Sequence, residues 1–144
     1  MSTEHKSVVY RGIEYIPKQE ILGDVREFAE KTLKEYSERE GIKGLKIKFG
    51  FPTSVIGKEI TLSLSIVGIW EKVSKEEAKK LIRFNLAHEL KHYKDGVRKL
   101  FWFVSFERSA DKYAEKITGI TLKEDEERFK TALRRFIEVL KSES

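Results

Sequence analysis

Apolar side chains recur at helical spacing over residues 18–40, where Ile21, Val25, Phe28, Ala29, Leu33 and Tyr36 share one face. Pro17 suits the first turn of that helix and Gly41 its end. The period then changes. Leu45, Ile47, Phe49 and Phe51 alternate with Lys46, Lys48 and Gly50, the pattern of a half-buried strand that Pro52 stops. Ile60, Leu62, Leu64 and Ile66 alternate with Thr61, Ser63 and Ser65, which predicts a second strand running over 59–70. Gly57-Lys58 ahead of it suits an antiparallel connection. At the start of the chain, Val8-Val9-Tyr10 and Ile13-Glu14-Tyr15-Ile16 flank Arg11-Gly12, which reads as a hairpin or arm within residues 1–17.

Ser74-Lys75-Glu76-Glu77 is a capping-box sequence, and nothing interrupts the helix it opens until Gly96. Leu100 to Phe106 reads as an apolar connection, followed by a helix over 107–119. Thr121-Leu122-Lys123-Glu124 is a second capping box. It opens a final amphipathic helix within 121–141 whose buried face is Phe129, Leu133, Phe136, Ile137 and Leu140. One helix, a small and mostly antiparallel sheet, then three helices make an α+β fold, a single domain over residues 1–144.

Composition narrows the chemistry. The chain has no cysteine, so a disulfide framework, a thiolate metal site and a thiol nucleophile are excluded. Any metal must be held by His, Asp or Glu, and only three histidines exist. No secretory signal is visible at the polar N-terminus, and Leu100 to Phe106 is far too short to span a bilayer. A cytoplasmic protein without a membrane span is the expectation. A charged content of 37 %, with one Met and no Cys, leans towards a thermophile. The net charge of +5 comes from 29 basic and 24 acidic residues that are interleaved, which favours a solvated surface over a nucleic-acid site.

His88-Glu89-Leu90-Lys91-His92 is an HExxH pattern lying inside a predicted helix. Positions i and i+4 stack on one face, so both imidazoles can ligate one ion. Glu89 is rotated by about 100° from His88, which puts it beside the metal, where a base stands to take a proton from water. A catalytic zinc wants three protein ligands and an open position. Glu107 is the candidate third ligand, on a helix that follows a short connection able to fold back. Glu107, Ala110, Asp111 and Ala114 form one stripe, and the alanines allow close approach to the histidine helix. Asp111, one turn on, fits as the carboxylate that accepts the other N–H of His88. Asn85, one turn before His88, lies on the same face. The plainer alternative is that HExxH falls by chance on a charged helix and that Glu107 and Asp111 are solvated charges. The conjunction of motif, flanking apolar positions and alanine stripe favours the metal site. Tyr113, Tyr93, His5 and Arg108 are candidate oxyanion donors, and no spacing selects among them.

His88-Glu89-Leu90-Lys91-His92 followed by Glu107-Arg108-Ser109-Ala110-Asp111-Lys112-Tyr113-Ala114 resembles the gluzincin metallopeptidases. The Glu-x-x-Ala-Asp-x-x-Ala run is similar to that of the HtpX-like branch, whose members are membrane-anchored, and more so to the minigluzincins, soluble proteins reduced to the catalytic core. The resemblance implies a zincin-like domain: a backing helix, a small sheet, an active-site helix, a glutamate helix and the C-terminal amphipathic helix. It also implies that the strand over 59–70 is the edge along which a peptide lies, with Thr61, Ser63 and Ser65 on its polar face. An ordinary amphipathic strand explains that face equally well. Minigluzincins resemble zymogens, which implies that the helix over 122–140 covers the cleft; core packing accounts for its apolar face as readily.

The function these readings converge on is zinc-dependent endopeptidase activity towards a peptide or protein substrate, in a freely active or a latent form, with one catalytic Zn2+. Zinc polarises the carbonyl and acidifies water, while Glu89 moves the proton. The alternatives are a regulatory metallopeptidase that cleaves a specific repressor and a non-catalytic basic module for nucleic acid, supported by Lys43, Lys46 and Lys48. Oligomeric state is not encoded in any pattern here.

Overall fold

The computed structural model describes residues 6–50, 54–95 and 99–144, leaving aside the side chains of Ser54 and residues 99–107. The first of its elements is the hairpin of β1 (Val8–Tyr10) and β2 (Ile13–Tyr15), paired antiparallel. Arg11 and Gly12 turn it with positive φ of 49° and 80°, the conformation a two-residue hairpin loop demands. Helix α1 (Gln19–Arg39) follows. Gly41 ends it at φ 67°, with Gly41 N–H bonded to the Glu38 carbonyl and Ile42 N–H to Ser37, a full Schellman closure.

The sheet departs from the alternation pattern. Strands β3 (Lys46–Gly50), β4 (Ser54–Ile56) and β5 (Glu59–Ser63) lie in the order β3-β5-β4. Gly57-Lys58 does form a tight antiparallel turn, but it joins β4 to β5, whereas β3 runs parallel to β5. Of the expected strand over 59–70, only the first part is extended. Ser63 caps a new helix, α2 (Leu64–Lys72), by accepting from Ser65 N–H at 3.2 Å. The physical reason is burial on all sides: every residue from Leu64 to Trp70 is buried, so no face had to alternate.

Helices α3 (Lys75–Asp95), α4 (Lys99–Thr118) and α5 (Leu122–Glu143) complete the chain. Ser74 caps α3 by accepting from Glu77 N–H at 3.2 Å. The Glu77 carboxylate is drawn instead to Arg128 Nε on α5, at 2.6 Å, so only half of that capping box forms. Thr121 and Glu124 form theirs completely. Leu100 to Phe106, expected as a connection, lies within α4. Among the described residues the architecture is thus α+β, five helices with a two-stranded and a three-stranded sheet. No helix among them is long and apolar enough to cross a membrane.

One core cluster draws on β2 to β5 and on every helix. Phe136 of α5 is fully buried, with Tyr10 and Tyr15 of the hairpin edge-on to its ring at centroid distances of 6.0 and 5.0 Å. Tyr15 also donates to Glu71 at 2.7 Å, and the Tyr10 hydroxyl meets Ser65, so the hairpin clamps α2 against α5. Gly68 of α2 lets Phe136 in, since a Cβ there would overlap the ring. Gly68→Ala is expected to cost about 1–3 kcal/mol in urea denaturation, outweighing the better helix propensity of alanine. Combined with Phe136→Leu, the total loss should fall short of the sum of the single losses, because the two changes share one contact.

Candidate metal centre

Helix α3 is buried along Ala78, Leu81, Ile82, Leu86 and Leu90, which fixes its rotation against the core. That rotation brings His88, Glu89 and His92 to one place. Their ligand atoms all lie within 4.8 Å of one another. His88 Nε2 and His92 Nε2 stand 2.9 Å apart, and the two rings are inclined at 72°. Two nitrogens on a tetrahedral zinc, at the usual bond length, sit about 3.3 Å apart. The pair is therefore already close to the spacing one ion requires.

Helix α4 supplies the support. It packs along α3, and its Ala110 and Ala114 are both fully buried. This close approach lets Asp111 Oδ1 accept from His88 Nδ1 at 2.9 Å. A proton held on Nδ1 leaves the Nε2 lone pair directed at the shared point, the arrangement typical of metal-bound histidine. The donor set thus fits a zinc ion on an observation of geometry. Glu107 lies in α4 one turn before Asp111, and its side chain is outside the described residues. No family model, curated protein or solved structure matches the chain.

Other expected site residues fare differently. Asn85 lines the cleft beside His88, with its amide nitrogen donating to the Leu81 carbonyl at 2.6 Å. The Tyr113 hydroxyl is not in the cleft: it donates to Glu40 at the end of α1, at 2.8 Å, and Lys94 of α3 holds the same carboxylate. Burial and that carboxylate push the Tyr113 phenol well up, so the group serves the α1–α3–α4 junction. Tyr93 and Arg108 do not line the cleft either, and His5 lies outside the described residues. The peptide-binding edge also needs correction. Strand β5 is the centre of its sheet, Thr61 and Ser63 are buried, and Ser65 is fully buried in α2. The polar face that read as an edge is enclosed by neighbours on both sides.

The cleft also includes residues of α5 that the sequence did not single out as site residues. Leu122, Asp125 and Glu126 from the first turns of α5 line it together with Phe84, Asn85, His88, Glu89 and Asp111. Asp125 lies on the same helical stripe as Phe129, Ala132 and Phe136. An acid on an otherwise apolar face was the signal. Burial pushes its carboxyl up to about 7, against the opposing pull of Arg128 and His88.

A carboxyl that holds its proton to higher pH when folded favours the folded state below the unfolded value and loses that contribution as pH climbs. In metal-free protein, stability is therefore expected to fall between pH 3.8 and about 7 through Asp125. Asp125→Asn should flatten this segment and stabilise the metal-free chain by about 1–4 kcal/mol at about pH 8. Urea denaturation across that range, with a chelator present, is the measurement.

Proposed function

We propose that the chain is a zinc-dependent peptidase with a zincin-like catalytic domain. The observation that carries this reading is the convergence of His88 Nε2 and His92 Nε2 at 2.9 Å while Asp111, from a second helix, holds His88 Nδ1. A chance HExxH on a surface helix has no reason to bury Glu89 and His92 or to recruit a carboxylate for its first histidine. His88, His92 and Glu107 would hold the zinc. Bound there, the ion supplies the Lewis acidity that polarises a scissile carbonyl and acidifies water.

The chain's own residues supply the rest. Glu89 is 7 % exposed and has its carboxylate within 4.8 Å of both histidine nitrogens, in reach of a water at that point. It accepts the proton of the attacking water and returns it to the leaving amine, so one carboxylate serves as base and then acid. Asp111 keeps the His88 ring in one tautomer and orientation throughout. The extended substrate would lie along β4, not β5. Strand β4 packs against α3 and, among the described residues, hydrogen-bonds to β5 alone, leaving its other edge for a peptide.

Glu89→Gln should retain zinc and lose about 10²–10⁴-fold in kcat/KM on a quenched peptide, the range of a lost general base. His92→Ala should lose both zinc and activity. Glu107→Ala is expected to lose zinc as well, measured by elemental analysis after dialysis. Cleavage retained by the Glu89→Gln protein would refute the role given to that residue.

A further inference from the structure

The cleft beside the His–Glu group holds more negative charge than the proposed reaction uses. It has a volume of about 360 Å3 and four carboxylates among its lining, Glu89, Asp111, Asp125 and Glu126. No lysine or arginine is among the described lining residues. Glu89 has the role of base, and Asp111 accepts from His88. Asp125 and Glu126 have no part in that chemistry.

Asp125 is the informative one. It is 9 % exposed, and its Oδ1 has no hydrogen-bond partner. A buried, unpaired carboxylate oxygen is costly, and native structures keep one where something else completes it. Arg128, whose charge acts on Asp125 from one turn along α5, bonds Glu77 through Nε and lines a separate cavity between α3 and α5. Its Nη1 has no hydrogen-bond partner and makes no bond to Asp125. Glu126, next in the chain and exposed, adds a second negative charge at the mouth.

We propose that Asp125, with Glu126 beside it, forms a subsite for a positively charged group of the substrate next to the scissile bond. That group is the side chain of a lysine or arginine, or the ammonium of the substrate N-terminus. The subsite rests on the peptidase reading and names its substrate class: a peptide that carries a cation close to the cleaved bond. An acidic or neutral peptide leaves Asp125 Oδ1 without a partner, whereas a cationic one gives the carboxylate a charge-assisted hydrogen bond.

The test uses the zinc-loaded full chain and hydroxamates of similar size: acetyl-norleucine with no cation, acetyl-lysine with a side-chain cation, and norleucine with its free α-amine. Calorimetry reads binding without turnover. One of the cationic compounds is expected to bind about 10- to 100-fold tighter than the neutral one. Which of them wins separates side-chain from N-terminal recognition. Asp125→Asn should erase the advantage while keeping zinc, and Glu126→Lys, at an exposed position, should weaken it without touching the core. Matched peptides should show the same ratio in kcat/KM, mainly through KM. Equal binding of all the hydroxamates overturns the subsite and leaves the peptidase standing. Loss of zinc from Asp125→Asn, comparable to that from His92→Ala, also overturns the subsite, by making Asp125 a ligand. No zinc-dependent binding and no cleavage of any peptide would overturn the peptidase reading, and the subsite with it.

Discussion

The site depends on how closely α4 can approach α3. Each helix is a cylinder whose side chains normally hold a neighbour's axis about 8–10 Å away, and small residues at the contact set the short end of that range. Ala110 and Ala114, both fully buried, leave no bulky side chain at those positions to hold α4 away. A short aspartate side chain can then span to His88 and bond at 2.9 Å. Larger residues at either alanine would move Asp111 back, free the His88 ring to turn, and dissolve the convergence of its Nε2 with that of His92. The chemistry of the motif is thus held in place by two side chains that have no chemistry of their own.

The helices were legible because their signals are redundant. Periodicity and a glycine stop coincide at α1, a capping box and a glycine stop at α3, and a capping box and periodicity at α5, and the observed bounds fall within a few residues of the expected ones. The strands were less legible for a physical reason. Leu64, Ser65 and Ile66 continue the alternation of β5 in sequence, yet they begin a helix buried all round, where period carries no information. Small serines fit such an interior once their hydroxyls are satisfied, as Ser65 is by Tyr10. Strand β4 escaped notice because three residues are too few to show a period. With β4 present, β5 becomes central and its partner β3 parallel, which reverses the expected edge.

The site was legible to the extent that it lies on one helix or on a stripe of the next. Helical spacing alone places His88, Glu89 and His92, and the alanine stripe places Asp111 opposite His88. What spacing cannot give is the arrival of a third helix. Nothing in the sequence near Asp125 connects it to His88, more than thirty residues earlier. The packing of Phe136 under Gly68, with Ala132 and Leu140 buried on the same helix and Arg128 bonded to Glu77, fixes the roll of α5, and that roll turns Asp125 into the cleft. Tyr113 shows the converse. Its position two residues after Asp111 looks suggestive in sequence, but that places it on another face of α4, where Glu40 takes its hydroxyl.

Helix α5 meets the cleft and the core with different parts of its length. Leu122, Asp125 and Glu126 border the cleft, while Ala132, Phe136 and Leu140 are buried in the core with α2 and the hairpin. Deleting everything after Gly119 would therefore remove wall and core together. Losing Phe136 alone is a large-to-nothing core change worth about 3–5 kcal/mol, a large share of the roughly 5–15 kcal/mol that holds a domain folded. Such a chain would report on folding, not on access to the His–Glu group. The first turns of α5 can move away from the cleft only by unwinding or bending, because the rest of the helix is docked in the core. The complete Thr121–Glu124 capping box opposes unwinding, and ionisation of the buried Asp125, which burial resists up to about pH 7, favours it. The balance between these two sits within five residues, Thr121 to Asp125, at the point where the core helix becomes the wall of the site.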